Sequence, residues 1–182
     1  INYCEESEIQ IWNTNYKSMT EGDARVLREV NRQMELETQR QWMVPILHEP
    51  RGQGRLCAIH EGERTGTLDI VGQVRPKVRL VYDAKSTRLN EKMYVEEHME
   101  NPGVEELISA MEYQRDNNGG KQVYCFKLDF CQAFKQVLVR PSDRDWYGVR
   151  WDNKWFARVR SIEGLKLAGF WWGRLVSLSL RS

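Results

Sequence analysis

Phe126-Lys127-Leu128-Asp129-Phe130-Cys131-Gln132-Ala133-Phe134-Lys135-Gln136-Val137-Leu138-Val139-Arg140-Pro141 is the stretch whose reading decides the fold. The run Val123 to Asp129 is apolar on both faces, the pattern of a strand central in a sheet. It ends on a carboxylate, Asp129, and a short turn or helix carrying Ala133 and Phe134 follows at once. A carboxylate at the end of a buried strand is costly unless something pairs with it. A divalent cation shared with substrate phosphates would do so. A plainer alternative is that Asp129 caps the turn behind it. Spacing alone leaves both readings open.

Downstream, Val137 to Val139 continues extended to Pro141. Tyr147 to Trp151 and Trp155 to Val159 then flank Asp152-Asn153-Lys154 as a hairpin. Leu165 to Leu180 reads as an apolar helix with Lys166 and Arg174 interspersed. Upstream, Glu21 to Trp42 reads as a helix: Asp23 can cap it, and Val26, Leu27, Val30, Met34 and Leu36 recur near helical spacing. Pro45, Pro50 and Arg51-Gly-Gln-Gly54 break that pattern. Arg55 to His60 and Thr67 to Val74 read as strands joined by a loop over 61–66, and Val78 to Tyr82 alternates as a further strand. Asn101-Pro102-Gly103 forms a turn, Val104 to Tyr113 a helix with Glu105 and Glu106 in its first turn, and Asn117-Asn118-Gly119-Gly120 its end. Strands and helices mix without regular βαβ alternation, which predicts an α+β fold.

With 182 residues, 41% hydrophobic and 29% charged, the chain has the composition of a globular domain. No apolar run approaches the roughly 18–20 residues that span a bilayer, so no membrane partner is expected. The chain opens on Ile1 without a signal peptide, and it reads as a piece of a longer frame. Cys4, Cys57, Cys125 and Cys131 form no CxxC pair, and His48, His60 and His98 show no ligand spacing, which argues against structural zinc. Free cysteines fit a reducing compartment. The net charge of +1 conceals segregation: residues 1–70 carry −4, 71–90 carry +4, 91–120 carry −6 and 121–182 carry +7. Two basic blocks surrounding an acidic one are either a solvated surface or the footprint of a phosphate-bearing partner.

Four segments taken in order resemble the reverse transcriptase family, from about Val26 to the end. Val78-Arg-Leu-Val-Tyr-Asp-Ala-Lys-Ser-Thr-Arg-Leu-Asn90 is similar to the family's first fingers motif. Leu128-Asp-Phe-Cys-Gln-Ala-Phe134 is similar to its first palm motif. Val139-Arg-Pro-Ser-Asp-Arg144, with Tyr147-Gly148-Val149 and Trp155-Phe156, resembles the strand pair that follows. Ile162-Glu-Gly-Leu-Lys-Leu-Ala168 occupies the place of the loop opening the next palm helix. The helical lead-in is closer to that of retrotransposon polymerases than to retroviral ones.

The resemblance implies a fragment of a right-hand polymerase. It would comprise a helical lead-in over 1–45, fingers over 46–92 and 138–164, and an antiparallel palm with packed helices over 93–137 and 165–182, ending before the second catalytic motif. It implies an enzyme of the cytoplasm or nucleus acting on an RNA/DNA primer–template and deoxynucleoside triphosphates with Mg2+ or Mn2+. Asp129 would be the catalytic metal ligand, with the carbonyl of Phe130. Arg79 would contact the incoming triphosphate and Lys85 the template. The main-chain N–H groups of Gln132 and Ala133 would face the triphosphate, Phe134 would lie beneath the sugar, and Gly164 and Lys166 would border the nascent pair.

The sequence also departs from the family pattern. Glu163 stands where Gln or Phe is usual, and Gly169 where a proline is common. No Tyr-x-Asp-Asp tetrad occurs among the 182 residues, so this stretch alone lacks carboxylates that a two-metal site requires. The alternative is a non-catalytic nucleic-acid-binding or domesticated remnant. Phe170-Trp171-Trp172 with Leu165, Leu175 and Val176 reads as the core face of a helix, base stacking being the sharper alternative. Gly119-Gly120-Lys121 lacks the phosphate-loop spacing, and Asp143 and Asp145 read as a solvated turn.

Overall fold

The computed structural model describes residues 2–3, 14–95, 97, 102–124 and 129–181. Along the chain these form β1 (Asn2–Tyr3), α1 (Ala24–Gln39), β2 (Met43–Ile46), β3 (Arg55–Leu68), β4 (Val74–Asp83), β5 (Met93–Tyr94), α2 (Val104–Asn117), β6 (Gly148–Trp151), β7 (Lys154–Arg158) and α3 (Ala168–Arg181). Short 3-10 segments lie at Lys17–Met19, Leu89–Glu91, Ala133–Gln136 and Pro141–Trp146. Every ladder between these strands is antiparallel, so the fold is α+β. Among the described residues no helix is long and apolar enough to cross a membrane. The chain divides into two units, residues 1–95 with 133–182, and residues 96–132.

In the first unit, α1 begins where the Asp23 carboxylate accepts the main-chain N–H of Arg25 at 2.8 Å, satisfying one of the orphan donors of the first turn. Its inner stripe buries Val30 and Met34 completely where α1 packs on β4, in the core that also holds Val78, Leu80 and Tyr82 of that strand. Each such side chain contributes about 1.5–3 kcal/mol on leaving water. Glu29 and Glu37 are buried on the same helix.

The β3–β4 hairpin corrects the sequence reading. Residues 61–66 are strand rather than loop, and the reversal falls inside the expected strand Thr67 to Val74. The Asp69 carboxylate accepts the N–H groups of Val71 and Gln73, and Gly72 takes a φ of +77°, so the turn belongs there. Gly62 (φ +106°) and Gly66 (φ +72°) are absorbed as irregularities, where the register slips between His60 and Leu68.

The second sheet has the order β2-β7-β6. Its β6–β7 hairpin turns through Asp152 and Asn153, both left-handed at φ +48° and +57°, a two-residue reversal of the type short polar side chains tolerate. Pro45, expected only to interrupt, lies opposite Phe156 within β2. That strand is at the sheet edge, where a missing N–H breaks no ladder bond. Leu138 bridges Arg160, so the extended stretch after Gln136 is present. α3 starts at Ala168, three residues later than expected, because Leu165 and Leu167 are buried from an irregular loop.

In the second unit, α2 runs to Asn117, beyond the expected Tyr113. Its first turn is closed by the Glu106 carboxylate accepting the N–H of Gly103 at 2.8 Å. The expected strand Val123 to Asp129 is not formed at its described positions. Val123, Tyr124 and Asp129 are irregular, and Tyr124 is exposed; residues 125–128 lie outside the described residues.

Candidate functional site

The end of β4 organises the first unit's loops. The Tyr82 side chain is fully buried; it fills space that Gly54 leaves, since a Cβ there would come within 2.4 Å of the ring. Its hydroxyl donates to the Gly148 carbonyl at 3.1 Å, and burial pushes the phenol well above its ordinary range. The chain then turns around Asp83. One carboxylate oxygen accepts the N–H groups of Lys85 and Ser86 at 3.0 and 2.9 Å, and the other accepts the Tyr16 hydroxyl at 2.5 Å. Partial burial opposes ionisation of Asp83, but these hydrogen bonds outweigh it and hold the carboxyl below its usual range. Thr87 closes the turn by donating to the Gln53 carbonyl at 2.6 Å.

Asn90 then reaches the loop that opens α3. Its amide donates to the Gly164 carbonyl at 2.9 Å, and its oxygen accepts the N–H of Lys166 at 2.8 Å. One side chain thus grips both ends of a three-residue bend. Gly164 itself has φ +98°, and a Cβ on it would come within 1.9 Å of the Tyr82 carbonyl oxygen. Only glycine fits there, on conformational and steric grounds together. The Lys166 ammonium donates to the Met93 carbonyl at 3.3 Å. The structure therefore brings together the turn of Lys85, Gly164 and Lys166.

Other sequence-predicted residues stand elsewhere. Arg79 points outward from β4 and pairs at 2.5 Å with Glu61 of β3, which also takes Lys77 at 3.2 Å. Phe134, in the turn Ala133–Gln136, is half-buried and packs against the core. Its neighbour Ala133 is also half-buried. Asp129, Phe130 and Gln132 belong to the second unit and are exposed, with Gln132 left-handed at φ +52°. Among the described residues no group of three His, Cys, Asp or Glu side chains could hold a metal ion. Asp129 and the Phe130 carbonyl are hard oxygen donors of the type magnesium prefers, but two donors do not make its octahedral shell.

The basic blocks are extensively paired. Arg75 engages Glu29, Arg88 engages Glu91, and both Lys135 and Arg158 engage Glu37. Sequence reasoning missed Glu29, Glu37 and the role of Asn90. For Glu37 the signal was present: it continues the spacing of Val30 and Met34, and a charge in a core stripe calls for a partner. Asn90 carried no comparable signal, because its partners are main-chain groups more than 70 positions away.

No protein-family model matches the sequence, and no curated protein matches it.

Proposed function

We propose that this chain is part of an RNA-directed DNA polymerase of the retrotransposon type, with fingers over 46–92 and 138–164 and palm over 93–137 and 165–182. The observation that carries the reading is the Asn90–Gly164 junction. Two segments that resemble the family's motifs on sequence grounds, 78–90 and 162–168, pack around one glycine that tolerates no side chain. The close approach of Gly164 to the Tyr82 carbonyl fixes the two segments against each other, the rigid positioning that nucleotidyl transfer depends on. On this reading Lys85, Gly164 and Lys166 border the template and the nascent pair. Arg79 turns from Glu61 to the triphosphate, and Ala133 and Phe134 lie against the nucleotide. Phosphoryl transfer needs positioning and charge neutralisation more than covalent catalysis, and Arg and Lys side chains supply both.

Asp129 and the Phe130 carbonyl would be two ligands of a Mg2+ or Mn2+ ion whose remaining ligands the described residues do not furnish, so no chemical step is assigned to it. The partners are a primer–template and deoxynucleoside triphosphates, met in the cytoplasm or nucleus. The paired cations and thin donor set are also what a non-catalytic nucleic-acid-binding remnant would have. The deciding experiment is primer extension by the full-length protein containing this chain, beside its Asp129→Asn variant. Extension lost in Asp129→Asn with primer–template affinity kept upholds the polymerase. Binding without extension by the unaltered protein favours the remnant, and undiminished extension by the variant overturns Asp129.

A further inference from the structure

The α1 stripe that buries Val30 and Met34 continues into Glu37, which is only 5% exposed. One of its carboxylate oxygens accepts from the Lys135 ammonium and the other from Nη1 of Arg158, a residue with no exposed surface. Two cations meet one carboxylate, and two further guanidinium nitrogens of Arg158, Nε and Nη2, are buried without a partner. A buried ionic cluster of this kind does not serve stability well, since apolar side chains of equal volume commonly do as much. What it does supply is register: it joins α1, β7 and the turn Ala133–Gln136 at one point. That turn is a single 3-10 turn of four residues, too short to hold its own shape. It is anchored by Phe134 in the core, by Arg160 donating to the Gln136 carbonyl at 3.1 Å, and by Lys135. The Lys135 ammonium also lies 5.3 Å from the centre of the Trp42 ring, which Arg40 covers as well.

We propose that Glu37 and Lys135 are positioning residues: from the helical lead-in, Glu37 holds Lys135, and Lys135 holds the turn that presents Ala133 and Phe134. The consequence for nucleotide selection rests on the polymerase reading; the latch itself does not. Lys135→Met separates the latch from the fold, because it leaves the Glu37–Arg158 pair intact and removes the second, half-buried cation on that carboxylate. Hydrogen exchange on the full-length protein is the first measurement. Amides of 133–137 exchange about tenfold faster in Lys135→Met, while those of α1 and β7 and the urea midpoint stay near the unaltered values. The second is primer extension. The nucleotide KM rises about fivefold or more with kcat less affected, ribonucleotide discrimination relaxes, and Lys135→Arg restores much of both. Unchanged exchange at 133–137 overturns the latch. Faster exchange with unchanged KM and sugar ratio overturns its role in positioning the nucleotide. An unaltered protein inactive on primer–template overturns the polymerase reading instead, and the exchange rates then decide the latch alone.

Discussion

Glu29→Gln tests the buried charge logic of α1 most directly. The Glu29 side chain is 2% exposed, yet its carboxylate accepts five hydrogen bonds. Arg32 and Arg75 each give two, between 2.8 and 3.2 Å, and Gln33 gives one at 2.9 Å. Burial favours the neutral acid, but the hydrogen bonds from Arg32, Arg75 and Gln33 outweigh it and lower the carboxyl from 4.5 to about 2. At 1.36 kcal/mol per unit, that corresponds to about 3 kcal/mol of stability at neutral pH. Arg32 and Arg75 keep 37% and 19% of their side-chain surface in water, so screening lowers the expectation to about 2–3 kcal/mol. A group whose folded value is depressed contributes fully above its unfolded value and loses that contribution as pH falls through the folded one. The difference between Glu29→Gln and the unaltered chain should therefore be largest at pH 7, about 0.5–1 kcal/mol at pH 3, and near zero at pH 2. Urea unfolding followed by circular dichroism at those three pH values measures it. A difference below about 0.5 kcal/mol at pH 7, or one that does not narrow in acid, would refute the argument.

Gly164→Ala should cost about 2–4 kcal/mol, because a side chain at φ +98° is strained and its Cβ meets the Tyr82 carbonyl; a thermal or urea midpoint close to the unaltered one would count against that fit. Asn90→Ala should leave the core intact but speed amide exchange at Lys166, whose N–H loses its acceptor, and protection kept there would show that the loop holds itself. Phe134→Val in the full-length protein should raise ribonucleotide relative to deoxyribonucleotide incorporation if the ring lies beneath the sugar. Equal loss of both would make it a core residue only, as its packing against the core also permits. Primer–template affinity should fall with salt by roughly 0.7–0.9 log units of K per log unit of salt for each phosphate neutralised, and indifference to salt would exclude the basic blocks as its footprint.

Much of the first unit was legible in the sequence, and for local reasons. α1 with its Asp23 cap, β4 with its alternation and the Asp152-Asn153 hairpin depend on periodicity and turn chemistry carried by neighbouring residues. The α+β class followed from their order. Boundaries failed where two signals competed. Gly62 and Gly66 signal a loop, yet pairing with β4 carries strand through them, and Pro45 signals a break, yet an edge position accommodates it. The strand expected at 123–129 is absent at Val123, Tyr124 and Asp129, its described positions, because an apolar run does not by itself supply the ladder partners a strand needs. Candidate residues could be chosen by type and spacing, but their company could not. That Arg79 faces Glu61, that Glu37 lies buried between Lys135 and Arg158, and that Asn90 clasps Gly164 are contacts between residues 18 to 121 positions apart. The sequence alone determined which elements form and which residue types could do chemistry, because both depend on interactions spanning a turn or two. Only the tertiary structure decided which charges are buried and which glycine has no room for a side chain, because those depend on surfaces that meet only once the chain has folded.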